Sequence, residues 1–210
     1  MSLEFARARF ERAKQIAAAT GKGAPQTAKI RIAVPFVKGQ NFYDIDIKDG
    51  KGHITNRALL DNDKFVCRAI ALGIMVEDDL KKGHAPTLSY PLLKSAAVTA
   101  AGLKGLDNAD AHVIYNGDWS LRTNQEVNYQ QFPASLFLRV PDAQPANVYG
   151  SNVEHAAYEM PEEVVLSGKE EHKIRIEYPG NATTDIKGEA GSTAFLVFEL
   201  FGWTIQGAAK

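Results

Sequence analysis

The stretch S-T-A-F-L-V-F-E-L-F-G-W-T-I-Q-G, residues 192–207, decides the fold. Phe195, Val197, Phe201, Trp203 and Ile205 share one parity, in which Glu199 is the only polar member. Leu196, Phe198 and Leu200 take the other. A run that is apolar on both parities reads as a strand covered on both faces. Its β-branched and aromatic residues suit a pleated surface, while Gly202 within it and Gly207 at its end count against a helix. Such a strand lies centrally in its sheet, with a layer over each face. The rest of the chain is therefore expected to form the sandwich that receives it, with Glu199 either paired or near an edge.

Working outward, the same period of two recurs. Ile30, Ile32 and Val34 alternate from Lys29 to Pro35, and Phe42–Ile47 alternates again before a turn at 49–52. After the turn Asp61-Asn-Asp63, Phe65–Val76 reads as a second long buried strand. Phe65, Cys67, Ala69, Ala71, Gly73 and Met75 share its smaller face. Thr87–Tyr90 is a short extended piece between Pro86 and Pro91, and residues 92–101 fit a helix or a strand equally. Val113–Tyr115, Asn116-Gly117-Asp118 and Trp119–Thr123 predict a hairpin, because Asn-Gly is the strongest short hairpin signal. Phe137–Val140 predicts a further strand. Asp142–Glu162, with Pro145 and Pro161, reads as a polar excursion over the surface. Val164–Leu166 and Lys173–Tyr178 form a last strand pair around the turn Ser167-Gly168. Eight to ten strands without βαβ repeats predict an all-β protein: a jelly-roll-like β-sandwich with one N-terminal helix.

That helix is read over residues 3–19, where Leu3, Ala6, Phe10, Ala13 and Ala17 recur at helical spacing behind a Ser2 N-cap. Residues 1–38 hold eight basic side chains against Glu4 and Glu11, a net +6. The whole chain is at −1, so the remaining 172 residues sum to −7. A basic arm on an acidic body points to an acidic neighbour or to nucleic acid. The seam of Leu3, Phe10 and small alanines looks too thin to hold the helix to its own core. It suits docking against a neighbouring subunit or a loosely held arm, so residues 1–27 are expected to be a basic helical arm and linker, and 28–210 a single sandwich domain. Leu3, Arg7, Arg9, Phe10, Arg12 and Lys14 are the expected assembly or nucleic-acid contacts.

No motif carries a reaction. His53, His84, His112, His155 and His172 stand too far apart for H-x-H or H-E-x-x-H ligation and read as isolated surface or edge residues. The acidic run Asp44, Asp46, Asp49 lacks the ligands that a calcium loop needs at Lys48 and Thr55 and the glycine it needs at 49. Gly102–Gly105 lacks phosphate-loop spacing. Cys67, the only cysteine, sits in a hydrophobic run and is expected to be a buried, inert core residue. No catalytic residue, metal or cofactor is expected. Nor is a membrane span, since no apolar run approaches the required length, or a secretory signal, since no apolar h-region follows the first residues. Tyrosines at loop and edge positions suit a contact surface.

Four runs carry a resemblance: Asn56–Val66, Ile114–Gly117 with Leu121–Thr123, Leu166–Gly168 with Ile174–Ile176, and Phe198–Gly207. In strand spacing and turn placement, over residues 54–207, they resemble virion structural proteins of bacteriophages, the jelly-roll capsid proteins above all. The resemblance implies a non-enzymatic subunit made in the host cytoplasm and built into the virion. Its partners would be copies of itself and other virion proteins, and its arm would touch neighbours or make non-specific contact with packaged nucleic acid. Two alternatives remain open on the residues. A lectin-like carbohydrate-binding sandwich would use Trp119, Tyr115 and Asn116, and a cupin-like metalloenzyme would bring its ligands together in space.

Overall fold

The computed structural model describes residues 3–20, 23–47, 54–55, 59, 61–78, 87–89, 111–124, 126–138, 157–180, 186–188 and 190–207. The expected turn at 49–52, the ambiguous segment 92–101 and the strand end at 139–140 lie outside them. Among the described residues one α-helix, α1 (Leu3–Ala19), precedes nine strands. These are β1 (Gln26–Pro35), β2 (Phe42–Asp46), β3 (Ile54–Thr55), β4 (Lys64–Asp78), β5 (Asp118–Thr123), β6 (Glu126–Pro133), β7 (Tyr158–Ser167), β8 (His172–Glu177) and β9 (Ser192–Ile205). They form a five-stranded sheet in the order β3-β1-β9-β4-β7 and a four-stranded sheet in the order β2-β8-β5-β6. Every pairing between these strands is antiparallel. Set β3 aside and the four-on-four arrangement, with the chain passing repeatedly from one sheet to the other, is a jelly roll.

β9 takes the central place that its sequence demands, between β1 and β4. Its inward Leu196, Phe198 and Leu200 meet Ile30, Ile32, Ile70, Leu72 and Ile74 from the same sheet. Across the sandwich they face Tyr43, Ile45, Trp119, Leu121, Ile174 and Ile176 from the other. The interior is filled by large side chains. Trp119 is fully buried, stacks on Tyr129 at 5.7 Å and touches Phe137 at 5.4 Å. Each fully buried side chain of this kind is worth about 1.5–3 kcal/mol.

β4 does not keep one parity throughout. Its register against β9 shifts between Cys67 and Ala69, so Arg68 is an extra residue. Phe65 and Cys67 face the interior before this bulge; Ile70, Leu72, Ile74 and Val76 do so after it. Strict alternation put Cys67 on a face of small residues with Ala69 and Ala71. The bulge instead separates them, leaving the two alanines on the outer face with Ala157 and Phe201.

Several expectations are corrected in the second half. Residues 111–115 form a 3-10 helix and not a strand, so β5 makes its hairpin with β6. The glycine of Asn116-Gly117 answers a different demand, since a Cβ there would lie 2.5 Å from the Glu177 carbonyl oxygen. Phe137 ends a 3-10 turn, Ala134–Phe137. β7 begins at Tyr158, so Tyr158–Glu162 belongs to a strand and not to a surface excursion. β7 and β8 follow one another in sequence but lie in different sheets. His172, at the start of β8, is fully buried, and its Nε2 lies 2.9 Å from the Ser167 amide and 2.8 Å from its carbonyl oxygen, tying the turn between the sheets. The other four histidines have no described side chains.

Burial raises the Cys67 thiol well above its ordinary range and holds the Tyr178 hydroxyl far above that of a free phenol, with Tyr129 raised in the same way. Each neutral form is favoured by folding. The stability this adds is complete below the unfolded values, about 8.5 for Cys and 10 for Tyr, and is lost as pH rises past them. The urea midpoint should therefore fall between about pH 8.5 and 11. The Tyr178 phenolate should appear only with unfolding, and Cys67 should resist thiol reagents until then. If all seven tyrosines titrate while the protein stays native, this packing is wrong.

Candidate assembly interface

α1 lies on the outer face of the five-stranded sheet, over the end formed by Val66, Trp203 and Ile205. Ala13 and Ala17 are buried there, and Phe10 and Ile16 are packed at the margin. Phe10 meets the Trp203 ring at 6.0 Å, with Lys14 Nζ 4.9 Å from the Phe10 ring centre and the Arg68 guanidinium 6.0 Å from that of Trp203. Small alanines on the helix let it come close to the sheet, and the bulk comes from the sheet's Trp203.

The stronger anchor is polar. Between the pairs Cys67↔Val164 and Ala69↔Glu159 the β4–β7 ladder breaks, and residues 160–163 of β7 stand opposite Arg68 alone. Arg9 reaches into this break. Its Nη2 donates to the Met160 carbonyl at 2.6 Å and its Nη1 to the Arg68 carbonyl at 3.3 Å. Its Nε lies 3.4 Å from Glu163 Oε1, both side chains being 6% exposed. Arg12 Nη1 meets the other Glu163 oxygen at 3.2 Å. One guanidinium thus satisfies carbonyls that a broken ladder leaves without strand partners, and neutralises a buried carboxylate.

This corrects the expectation that the seam is too thin to hold the helix to its own core. The apolar seam alone does not reveal the anchor, because in sequence Arg9 is indistinguishable from the exposed basic residues around it. Of the six expected contact residues, Arg9 and Phe10 are committed to the chain's own sheet. Arg7 is exposed, Arg12 is exposed but paired with Glu163, and Lys14 is exposed and bonded to Glu11 at 2.7 Å. The Leu3 side chain lies outside the described residues.

Further along the same face, Glu199 is paired as its isolation on β9 requires. Its Oε1 accepts from Thr87 Oγ1 at 2.9 Å and from Lys29 Nζ at 3.2 Å, with Arg31 Nε at 3.5 Å. Burial lowers the Arg31 pKa, against the pull of Glu199 and Glu77. Buried charge on this scale is kept only when paired, and the cluster reads as structural. Trp119 and Tyr115, the aromatics a lectin site would have used, are 0% and 2% exposed and fill the core.

Among the described residues no group of three or more His, Cys, Asp or Glu side chains is placed to hold a metal, and no helix is long and apolar enough to cross a membrane. The molecule is an all-β jelly-roll sandwich with a helix clasped to one outer face. Compared with protein-family models, curated proteins and solved structures, the chain matches none.

Proposed function

We propose that the chain is a structural subunit of a bacteriophage particle, a capsid or capsid-associated protein that assembles with copies of itself. The observation that carries this reading is the sheet order, β1-β9-β4-β7 against β2-β8-β5-β6, a plan shared by viral shell and lectin domains and by cupins. Aromatic packing of the interior supports a building block over an enzyme of the cupin kind, whose site occupies that space. The helix supports it too. With Arg9 and Phe10 turned inward, α1 presents Arg7, Arg12 and Lys14 outward as a basic surface on an otherwise acidic chain.

Purified protein should form closed or symmetric oligomers visible by mass photometry and negative-stain microscopy; a monomer at every concentration ends the proposal. Reversing Arg7 and Lys14 to Glu, which leaves the Arg12–Glu163 pair in place, identifies the partner of the basic surface. If that partner is nucleic acid, binding by the unaltered protein falls with log salt at about −0.9 per phosphate neutralised, and the reversed variant loses the slope. If it is a neighbouring subunit, the variant loses assembly without nucleic acid present.

A further inference from the structure

The outer face of the four-stranded sheet is a grid of polar side chains set by strand register. Phe42, Glu177 and Asp118 form one row, Asp44, Arg175 and Ser120 the next, and Asp46, Lys173 and Arg122 the third. Asp44 and Glu177 hold Arg175, at 2.5 Å and 3.5 Å. Ser120 is the short residue of the middle row, so a depression of about 100 Å³ opens above it, ringed by Asp118, Arg122, Gln130, Gln131, Arg175 and Glu177. The Ser120 residue is 8% exposed and forms the floor.

β6 is distorted to complete this ring. Its register against β5 shifts between Trp119↔Phe132 and Leu121↔Tyr129, inserting an extra residue at Gln130–Gln131. Gln131 takes φ 52°, a left-handed conformation that favours glycine. A strained non-glycine residue in a bulge beside a polar depression is a feature that binding sites retain at the expense of stability. The side chains of Asp118, Ser120, Arg122, Gln130 and Gln131 make no hydrogen bond or ion pair among the described residues.

We propose that this depression is a glycan-binding seat for an uncharged oligosaccharide of hexopyranose units. The lining has two carboxylates, Asp118 and Glu177, and two guanidinium groups, Arg122 and Arg175, so it is electrically balanced and selects neither a phosphate nor a cation. Acceptors and donors lie side by side, as hydroxyl-rich ligands require, since each sugar hydroxyl both gives and accepts a hydrogen bond. Phe42, 50% exposed at the end of the first row with the Arg175 guanidinium 5.9 Å from its ring centre, offers the other face of its ring to the apolar side of a pyranose. The depression holds one edge of a sugar ring, and the open sheet lets the chain continue across it. The seat is distinct from the α1 surface and stands whether or not the protein builds a particle.

The test titrates maltohexaose, cellohexaose and mannohexaose, with inorganic phosphate as the anionic control, into isotopically labelled protein. At least one hexasaccharide should shift the amides of residues 118–122 and 130–131 saturably. Ser120→Leu, which fills the depression, should weaken that binding about tenfold or more. Gln131→Gly removes one amide and relieves the left-handed strain, so it should raise the melting temperature while weakening binding. Three results overturn the proposal: no shift with any of the three sugars, tighter binding of phosphate than of sugar, or undiminished binding by a folded Gln131→Gly protein.

Discussion

Gly202→Ala is expected to prevent the chain from reaching its native state. Gly202 sits in β9, which pairs with β1 on one side and β4 on the other along most of its length, opposite Cys67 and beside the Arg68 bulge. A Cβ at this position would overlap the Val66 carbonyl oxygen and lie 2.9 Å from its carbon and 3.1 Å from the Cys67 Cα. All three are backbone atoms of β4, so no rotamer change relieves the clash. Moving β4 away would break the ladder and open the core around Phe65 and Cys67. The expected loss is about 4 kcal/mol or more, in the exceptional range for a single substitution. Gly23→Ala is the control, because its nearest neighbour atom lies 4.0 Å away. Soluble expression and thermal unfolding of the two variants give the comparison. A Gly202→Ala protein that melts near the unaltered one would mean that β4 does not approach β9 as described.

Gly202 also shows how far the sequence could be read. Its place in an apolar run argued for a strand over a helix, but the reason for the glycine is a bulge on another strand, which no local pattern in 192–207 reveals. Elements with unbroken periodicity were legible: β1, β2, β8 and β9 each alternate or are apolar on both faces. β4 was legible despite its bulge because it is apolar on both faces, and Cys67 is buried as its neighbours imply. Elements with interrupted periodicity were not. β6 reads E-V-N-Y-Q-Q-F-P, and its inward Tyr129 and Phe132 are three residues apart because the bulge lies between them. β7 hides its inward Tyr158, Met160, Val164 and Leu166 behind Pro161 and two glutamates, which sit in a still wider break. The candidate interface suffered in the same way. Its helix was visible, with the boundaries expected, but the place it docks is made by two irregularities that meet only in three dimensions. The polar seat on the opposite sheet had no signature either, because the exposed side chains of three strands become neighbours only through register.

Arg9→Ala should cost about 3 kcal/mol, near the lower end of the penalty for removing one partner of a buried ion pair. The variant loses the donors to the Met160 and Arg68 carbonyls and leaves the nearly buried Glu163 carboxylate with Arg12 alone. At this chain length the loss corresponds to a fall in melting temperature of about 6–12 °C. Arg9→Lys should recover only part of it. An ammonium supplies charge to Glu163 but cannot span two carbonyls and a carboxylate in the fixed fork geometry of a guanidinium. Glu163→Gln distinguishes charge from packing, since Arg9 keeps both carbonyls while its ionic partner is neutralised. Its effect should be smaller than that of Arg9→Ala, and the two changes together should cost less than their sum, because they share one interaction. Phe10→Ala, which removes only a half-buried ring beside Trp203, should leave the Arg9 clasp in place. If Arg9→Ala melts with the unaltered protein, the helix is held by its apolar seam alone. The basic surface of α1 would then rest on a detachable arm and not on a fixed part of the sheet.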